Sequence, residues 1–308
     1  MSERRWGSTH RFYHVDQDAV LTRVVKPAVE RLRRDGLADG FMFLRYREGA
    51  AHVRLRVLTR SGSVQEVRSV VEEAAAEFYQ SPEPGSATFD TVSESDDSAA
   101  FIGYAPETDL FGTDRALDAV ERQLMASSAL AVELIARGRT PGRRALDAFA
   151  MLAANRTLFT GILPELAYHA RFIVESGGAA AELLGSAGFE RHFDANKAQL
   201  RASLEAVWAV TRGALLPAAS VAGMWLAAVR DLSETLIELE SLGGLDDYPG
   251  LPGLTVPLDV LEHVNHVVPQ LIVERCAHLM CNQLGIDPVQ EAHLRLLLTR
   301  TSFDLCAG

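Results

Sequence analysis

Apolar side chains recur along this chain in two rhythms, and the change from one to the other divides it. Residues His10 to Val15 form a short aromatic run. Asp16 to Asp18 can cap a helix, and Val20, Leu21, Val24, Val25, Val29 and Leu32 then fall at helical spacing between Ala19 and Arg34. Pro27 lies inside that helix, where a missing N–H and a ring clash predict a kink or a restart. After Gly36 and Gly40 come FMFLRYR, the turn EGAA and HVRLRVL. Two runs of aromatic and branched residues around a glycine turn predict a β-hairpin. Ser63 to Tyr79 is helical by pattern, with Val67, Val70, Val71, Ala74, Ala75 and Phe78 on one side, and SPEPGS ends it. The acidic stretch Thr91 to Ala99 has no apolar period and reads as a solvated loop.

From Thr113 the character changes. Almost every segment to Arg300 has helical period and is rich in alanine and leucine, broken at GGAA (177–180), GSAG (185–188) and LGGLDDYPGLPGL (242–254). The expected fold is α+β: an N-terminal mixed or antiparallel sheet with packed helices, then a mostly helical half. The whole is one unit over 1–308, β-rich over 1–112 and helical over 113–308.

Composition narrows the function. The chain has 308 residues, 48% of them apolar, and a formal net charge of −11, so it can bury a sizeable core but lacks the dominant basic face of a general nucleic-acid binder. Any anion site must be local. Cys276, Cys281 and Cys306 are odd in number and form no Cys-x-x-Cys pair, which argues for reduced thiols rather than a disulfide framework or zinc ribbon. The N-terminus has no apolar signal core, and no run of about 18 uninterrupted apolar residues occurs. The expectation is a cytoplasmic protein with no membrane partner.

Two clusters could carry chemistry. In an extended strand, His52, Arg54 and Arg56 share one face while Val53, Leu55 and Val57 share the other. Two guanidiniums at this spacing suit a dicarboxylate, or a carboxylate plus a carbonyl; a solvated face paired with acids of a neighbouring helix is the plainer alternative. In ERCAHLMCNQLG, Glu274, His278 and Asn282 recur at i, i+4 and i+8 as a polar stripe, so Glu274 could orient the His278 imidazole. A core or capping histidine is the alternative there. His263 and His266 lack a HExxH pattern or a carboxylate triad, so no metal is invoked. No phosphate-binding glycine loop and no GxSxG occur either, and no cofactor is expected. Cys276 and Cys281 sit in apolar helical surroundings that favour inert thiols.

GFMFLRYREGAAHVRLRVL, YAPETDLFG with the later Ser127 and Ser128, and AHLMCNQLGI together resemble the C-terminal elimination domain of class I lanthipeptide dehydratases, which also occurs alone in thiopeptide clusters. The resemblance spans nearly the whole chain in the family's motif order. It implies a partner that uses glutamyl-tRNA to esterify serine or threonine of a precursor peptide, while this protein expels glutamate to leave dehydroalanine or dehydrobutyrine. The implied catalytic residues are Arg54, Arg56 and His278, with His52, Tyr46, Glu107 and Asn282 as substrate contacts. His52, Tyr46 and Tyr104 also remain open as the base. The implied partners are a precursor peptide, made of a leader and a thiazole-containing core, and a glutamylating dehydratase subunit.

Two positions depart from the family. Leu110 stands where a basic residue commonly precedes Tyr/Phe-Gly, and Gln283 stands where an arginine usually follows the C-terminal asparagine. These departures keep open a related chemistry of thiopeptide pathways, the pyridine-forming [4+2] cycloaddition of two dehydroalanines. A non-catalytic scaffold that holds a leader peptide by strand addition is a third possibility.

Overall fold

A capping aspartate decides where the first helical run begins. In the computed structural model, Asp16 accepts a hydrogen bond from the Ala19 N–H at 3.0 Å and opens α1 (Gln17–Val20). The run passes through a π turn (Leu21–Val25) into α2 (Lys26–Arg34). Pro27 accounts for the widened turn: it has no N–H to return one turn back, and the Lys26 N–H reaches instead to the carbonyl of Leu21, five residues earlier. The structure describes residues 5–46, 51–60, 64–80, 98–102, 111, 114–159, 186–212, 214, 217, 220–246, 248 and 265–307.

The hairpin expected from FMFLRYR and HVRLRVL is present as β2 (Ala38–Tyr46) and β3 (His52–Thr59). With β1 (Arg5–Tyr13) and β4 (Ser98–Ile102) they form a sheet in the order β2-β3-β1-β4, antiparallel throughout. Alternation on β1, β2 and β3 assigns one face to the core: Phe12, Phe43, Val53, Leu55 and Val57 are all buried. That core includes Val20, Leu21, Val24 and Leu32, together with Val67 and Val71 of α3 (Val64–Gln80). Strand β4 corrects the loop expected over Thr91 to Ala99. Ser98 and Ala99 pair with Tyr13 and Phe12, because ladder bonding to β1 uses backbone groups and needs no apolar alternation. The rest of the acidic stretch, 91–97, lies outside the described residues.

Contacts divide the chain into two compact units, Met1–Pro106 with Leu124–Thr140, and Glu107–Gln123 with Pro141–Gly308. The first holds the sheet and the C-terminal half of α4 (Asp114–Ala136). There the Ser128 hydroxyl accepts from the Phe43 N–H at 3.1 Å, and a side chain on Gly40 would collide with the Met125 sulfur.

The second unit is helical: α5 (Pro141–Phe159), α6 (Ala187–Trp208) with a 3-10 turn (Ala209–Arg212), α7 (Val221–Ser241), α8 (Val267–Gln283) and α9 (Pro288–Ala307). Its core includes Phe149, Leu152, Phe193, Leu204, Met280 and Leu296, and the buried Trp225 indole donates to Asn155 Oδ1 at 2.8 Å. Ser186 caps α6 by accepting from the Phe189 N–H, so the break expected at GSAG falls at Ser186 and Gly188 is already helical. Gly243, at φ 74°, follows the end of α7. The break expected at GGAA lies outside the described residues. Among the described residues no helix is long and apolar enough to cross a membrane. The architecture is α+β, a small sheet with packed helices followed by a helical half.

Candidate functional site

Strand β3 sits between β2 and β1, so its outward side chains are flanked from both sides. Opposite the helix-covered core, register places Tyr46 and Tyr13 beside His52, and Leu44 and Arg11 beside Arg54, with Arg56 two residues further along β3. The His52 ring stacks on Tyr46 at 4.9 Å between centroids and meets Tyr13 at 5.0 Å, while the Arg54 guanidinium lies 4.1 Å over the Tyr46 ring. Gln17 holds this end of the hairpin: its amide donates to the carbonyls of Tyr46 at 2.9 Å and His52 at 3.1 Å. A helix N-terminus thus fixes the two strands that carry the stack.

Alternation across β3 therefore holds as expected, but the plain solvated face does not. His52 is 7% exposed and Arg56 9%, with Arg54 and Tyr46 half-buried. Flanking strands shield residues that a lone strand would present to water. The sequence pattern gives no hint of Arg11, because the run around it reads as an aromatic strand and carries no sign of which strand lies beside it. Register places it directly opposite Arg54, and a like-charged cross-strand pair costs up to about 1 kcal/mol unless an anion offsets it.

The second cluster belongs to the helical unit and corrects one expectation. The carboxylate partner of His278 is Glu291 of α9, whose Oε2 lies 2.6 Å from His278 Nδ1, and not Glu274. Glu274 is drawn away by Arg295 at 2.6 Å and Arg156 at 3.6 Å. Arg295 also holds Glu291 Oε1 at 2.8 Å, so one guanidinium bridges the two carboxylates. Glu291 is buried, which alone would raise its pKa, but the His278 hydrogen bond and Arg295 together hold it below the usual carboxylate range. A carboxylate on Nδ1 favours the tautomer with the proton there and leaves Nε2 to act, on a ring whose side chain is 47% exposed.

The approach of Glu291 is set by a tight helix–helix connection. Gly285 at φ 78° follows the end of α8, and the Arg144 guanidinium caps the Leu284 carbonyl at 2.9 Å. Asp287 and Gln290 then exchange side chain-to-backbone bonds at 2.8 and 3.2 Å, a capping box that starts α9 at Pro288 and puts Glu291 in its first turn. The sequence signals this helix start as Asp-Pro-x-Gln-Glu, but not the return of Glu291 to His278.

Other candidates separate clearly. Asn282 lies one turn beyond His278, half-buried, whereas Glu107, Leu110 and Tyr104 lie outside the described residues. Ser127 and Ser128 are fully buried and hydrogen-bonded to backbone groups, a structural use. Burial pushes the Cys276 thiol up to about 12 and raises Cys281 further, in keeping with inert thiols. His266 pairs with Glu240 at 2.7 Å, and no group of three metal-ligating side chains occurs among the described residues.

Comparison with known proteins places residues 6–302 on the family model described as lantibiotic biosynthesis dehydratase, C-terminal. Solved structures of similar fold include TbtD, a pyridine synthase from thiomuracin biosynthesis, at TM-score 0.73 and 18% identity over 97% of this chain and 98% of that one. TsrL matches at 0.66 and 17% over 99% and 96%. MibB, a tRNA-dependent lantibiotic dehydratase from Microbispora sp. 107891, matches at 0.56 and 18% over all of this chain but 29% of its own. At these identities the structures carry the fold. No curated protein matches by sequence.

Proposed function

The chain belongs to the lantibiotic biosynthesis dehydratase C-terminal family, and from that premise we propose that it eliminates glutamate from glutamylated serine or threonine of a precursor peptide in thiopeptide biosynthesis. In this step a base takes the Cα proton of the esterified residue, the Cβ–O bond breaks, a carbon–carbon double bond forms, and glutamate departs as a carboxylate. The observation that carries the reading is the pair of guanidiniums, Arg54 and Arg56, on one shielded sheet face. Fixed cations in a partly desolvated site stabilise a carboxylate as its charge develops. His278, with its tautomer set by Glu291, is the acid–base residue of choice, and Tyr46, His52, Glu107 and Asn282 serve as substrate contacts. The peptide is presented after a separate glutamylating dehydratase subunit has acted.

One observation favours a second reading. TbtD, named a pyridine synthase, matches over nearly the full length of both chains, while only 29% of MibB is spanned. In that reading the protein joins two dehydroalanines in a formal [4+2] cycloaddition and needs no glutamate site.

Mass spectrometry of two thiazole-containing peptides incubated with the protein separates the readings. Loss of glutamic acid from a peptide carrying glutamylated serine is the expected result. Conversion only of a peptide that already carries two dehydroalanines, with ring formation and leader release, establishes the cyclase. Binding of either peptide without any mass change indicates a scaffold.

A further inference from the structure

Arg11 is the cation on the sheet face that neither the family motifs nor the hairpin pattern points to. It lies directly across from Arg54, and Arg56 extends the same face. The Arg11 side chain makes no hydrogen bond or ion pair among the described residues, and its Nε is buried without an acceptor. It is half-buried, although a side chain of its length could reach water and escape its neighbour. Arginines in register on adjacent strands, with the Arg11 Nε buried and without an acceptor, fit an anion bound beside Arg11 on this face. On a chain of net charge −11, such a local patch suits a small carboxylate better than a long polyanion.

We propose that Arg11 supplies a third guanidinium to the Arg54–Arg56 face and holds the free side-chain carboxylate of the glutamyl group on the substrate. The inference rests on the elimination reading and assigns the charges within it. A glutamyl ester linked through its α-carboxyl has one carboxylate from the start, on the side chain, and acquires a second only as the Cβ–O bond breaks. Arg54 and Arg56 meet the charge that develops; Arg11 meets the charge already present. Arg11 thereby discriminates between acyl groups, and supplies a charge on a chain whose family-typical basic position before Phe111 is Leu110.

The test uses two stable peptide analogues in which an amide replaces the ester, one carrying glutamyl and one glutaminyl, titrated calorimetrically into the full chain. The wild type is expected to prefer the glutamyl peptide by roughly tenfold to a hundredfold, the scale of a charge-assisted bond. Arg11→Met is expected to bind both equally, and Arg11→Lys to keep part of the preference. Arg11→Met should also raise the thermal midpoint of the unliganded protein, since it removes the opposed charge, so misfolding is told apart from lost binding. Equal binding of both peptides by the wild type, or an unchanged preference in Arg11→Met, overturns the proposal. Retained preference in the wild type with no release of glutamate from the true ester overturns the elimination reading and leaves the carboxylate site standing.

Discussion

Glu291 joins a buried ion pair to the histidine on which the proposed chemistry rests. Glu291→Ala leaves the Arg295 guanidinium with Glu274 alone and removes the orienting acceptor of His278. Breaking a buried ion pair from one side is expected to cost about 3 kcal/mol, measurable by urea unfolding. On the elimination reading, turnover of the glutamylated peptide should fall about tenfold to a hundredfold, and Glu291→Gln, whose amide oxygen can still accept from Nδ1–H, should recover part of it. His10 gives the pH dependence. It is buried beside Phe12, and burial lowers its pKa from 6.5 to about 4, with Glu72 pulling up and Arg68 down. A depressed folded-state pKa means the stability it contributes is complete above 6.5 and is lost as pH falls toward 4, about 2 kcal/mol of it by pH 5. Denaturant midpoints at pH 7 and pH 5 should differ accordingly, and His10→Phe should flatten the difference. Glu291 adds a second loss lower on the scale, where its own depressed pKa is crossed.

At the scale of elements, what could be read from the sequence is what depends on neighbours in sequence. The hairpin, the helix after it and the disturbance at Pro27 were all legible, because turn chemistry, periodicity and a missing N–H act locally. Strand alternation placed His52, Arg54 and Arg56 on one face for the same reason. Arg11 and Glu291 were not legible, since each becomes significant through an element it is not part of: Arg11 through the pairing of β1 with β3, Glu291 through the return of α9 toward α8. Asp287→Ala tests this second link. It removes the cap at the start of α9 and should cost about 1 kcal/mol; because it also loosens the turn that carries Glu291, turnover should drop while the exposed surface of α8 is untouched. Gln17→Ala is the matching experiment on the sheet, where losing both carbonyl contacts should free the Tyr46–His52 stack and broaden its ring resonances.

For the whole molecule, the order of architecture along the chain was readable from rhythm alone, sheet first and helices after. Helix α4 was expected simply as the start of the helical half, yet its Leu124–Ala136 portion counts with the sheet-bearing unit and its beginning with the other. The cause lies in contacts that no local pattern reports: Ser128 meets the backbone of Phe43, and Lys26 pairs with Glu133 at 2.6 Å. Ser128→Ala leaves the buried Phe43 N–H without that acceptor and is expected to destabilise the fold by about 1–2 kcal/mol, seen as an earlier urea transition.

Burial of two of the three cysteines bears on how a chain with the proposed chemistry would survive its product. Dehydroamino acids are electrophilic alkenes, and thiolates are the protein nucleophiles that add to them most readily. A catalyst that handles such alkenes runs the risk of being alkylated by them. Cys276 and Cys281 are sealed in the helical unit, and burial keeps them as thiols, which leaves Cys306, near the end of α9, as the exposed cysteine. In the proposed chemistry this arrangement amounts to tolerance of the product: a chain with three sulfhydryl groups offers only one of them to a reactive alkene.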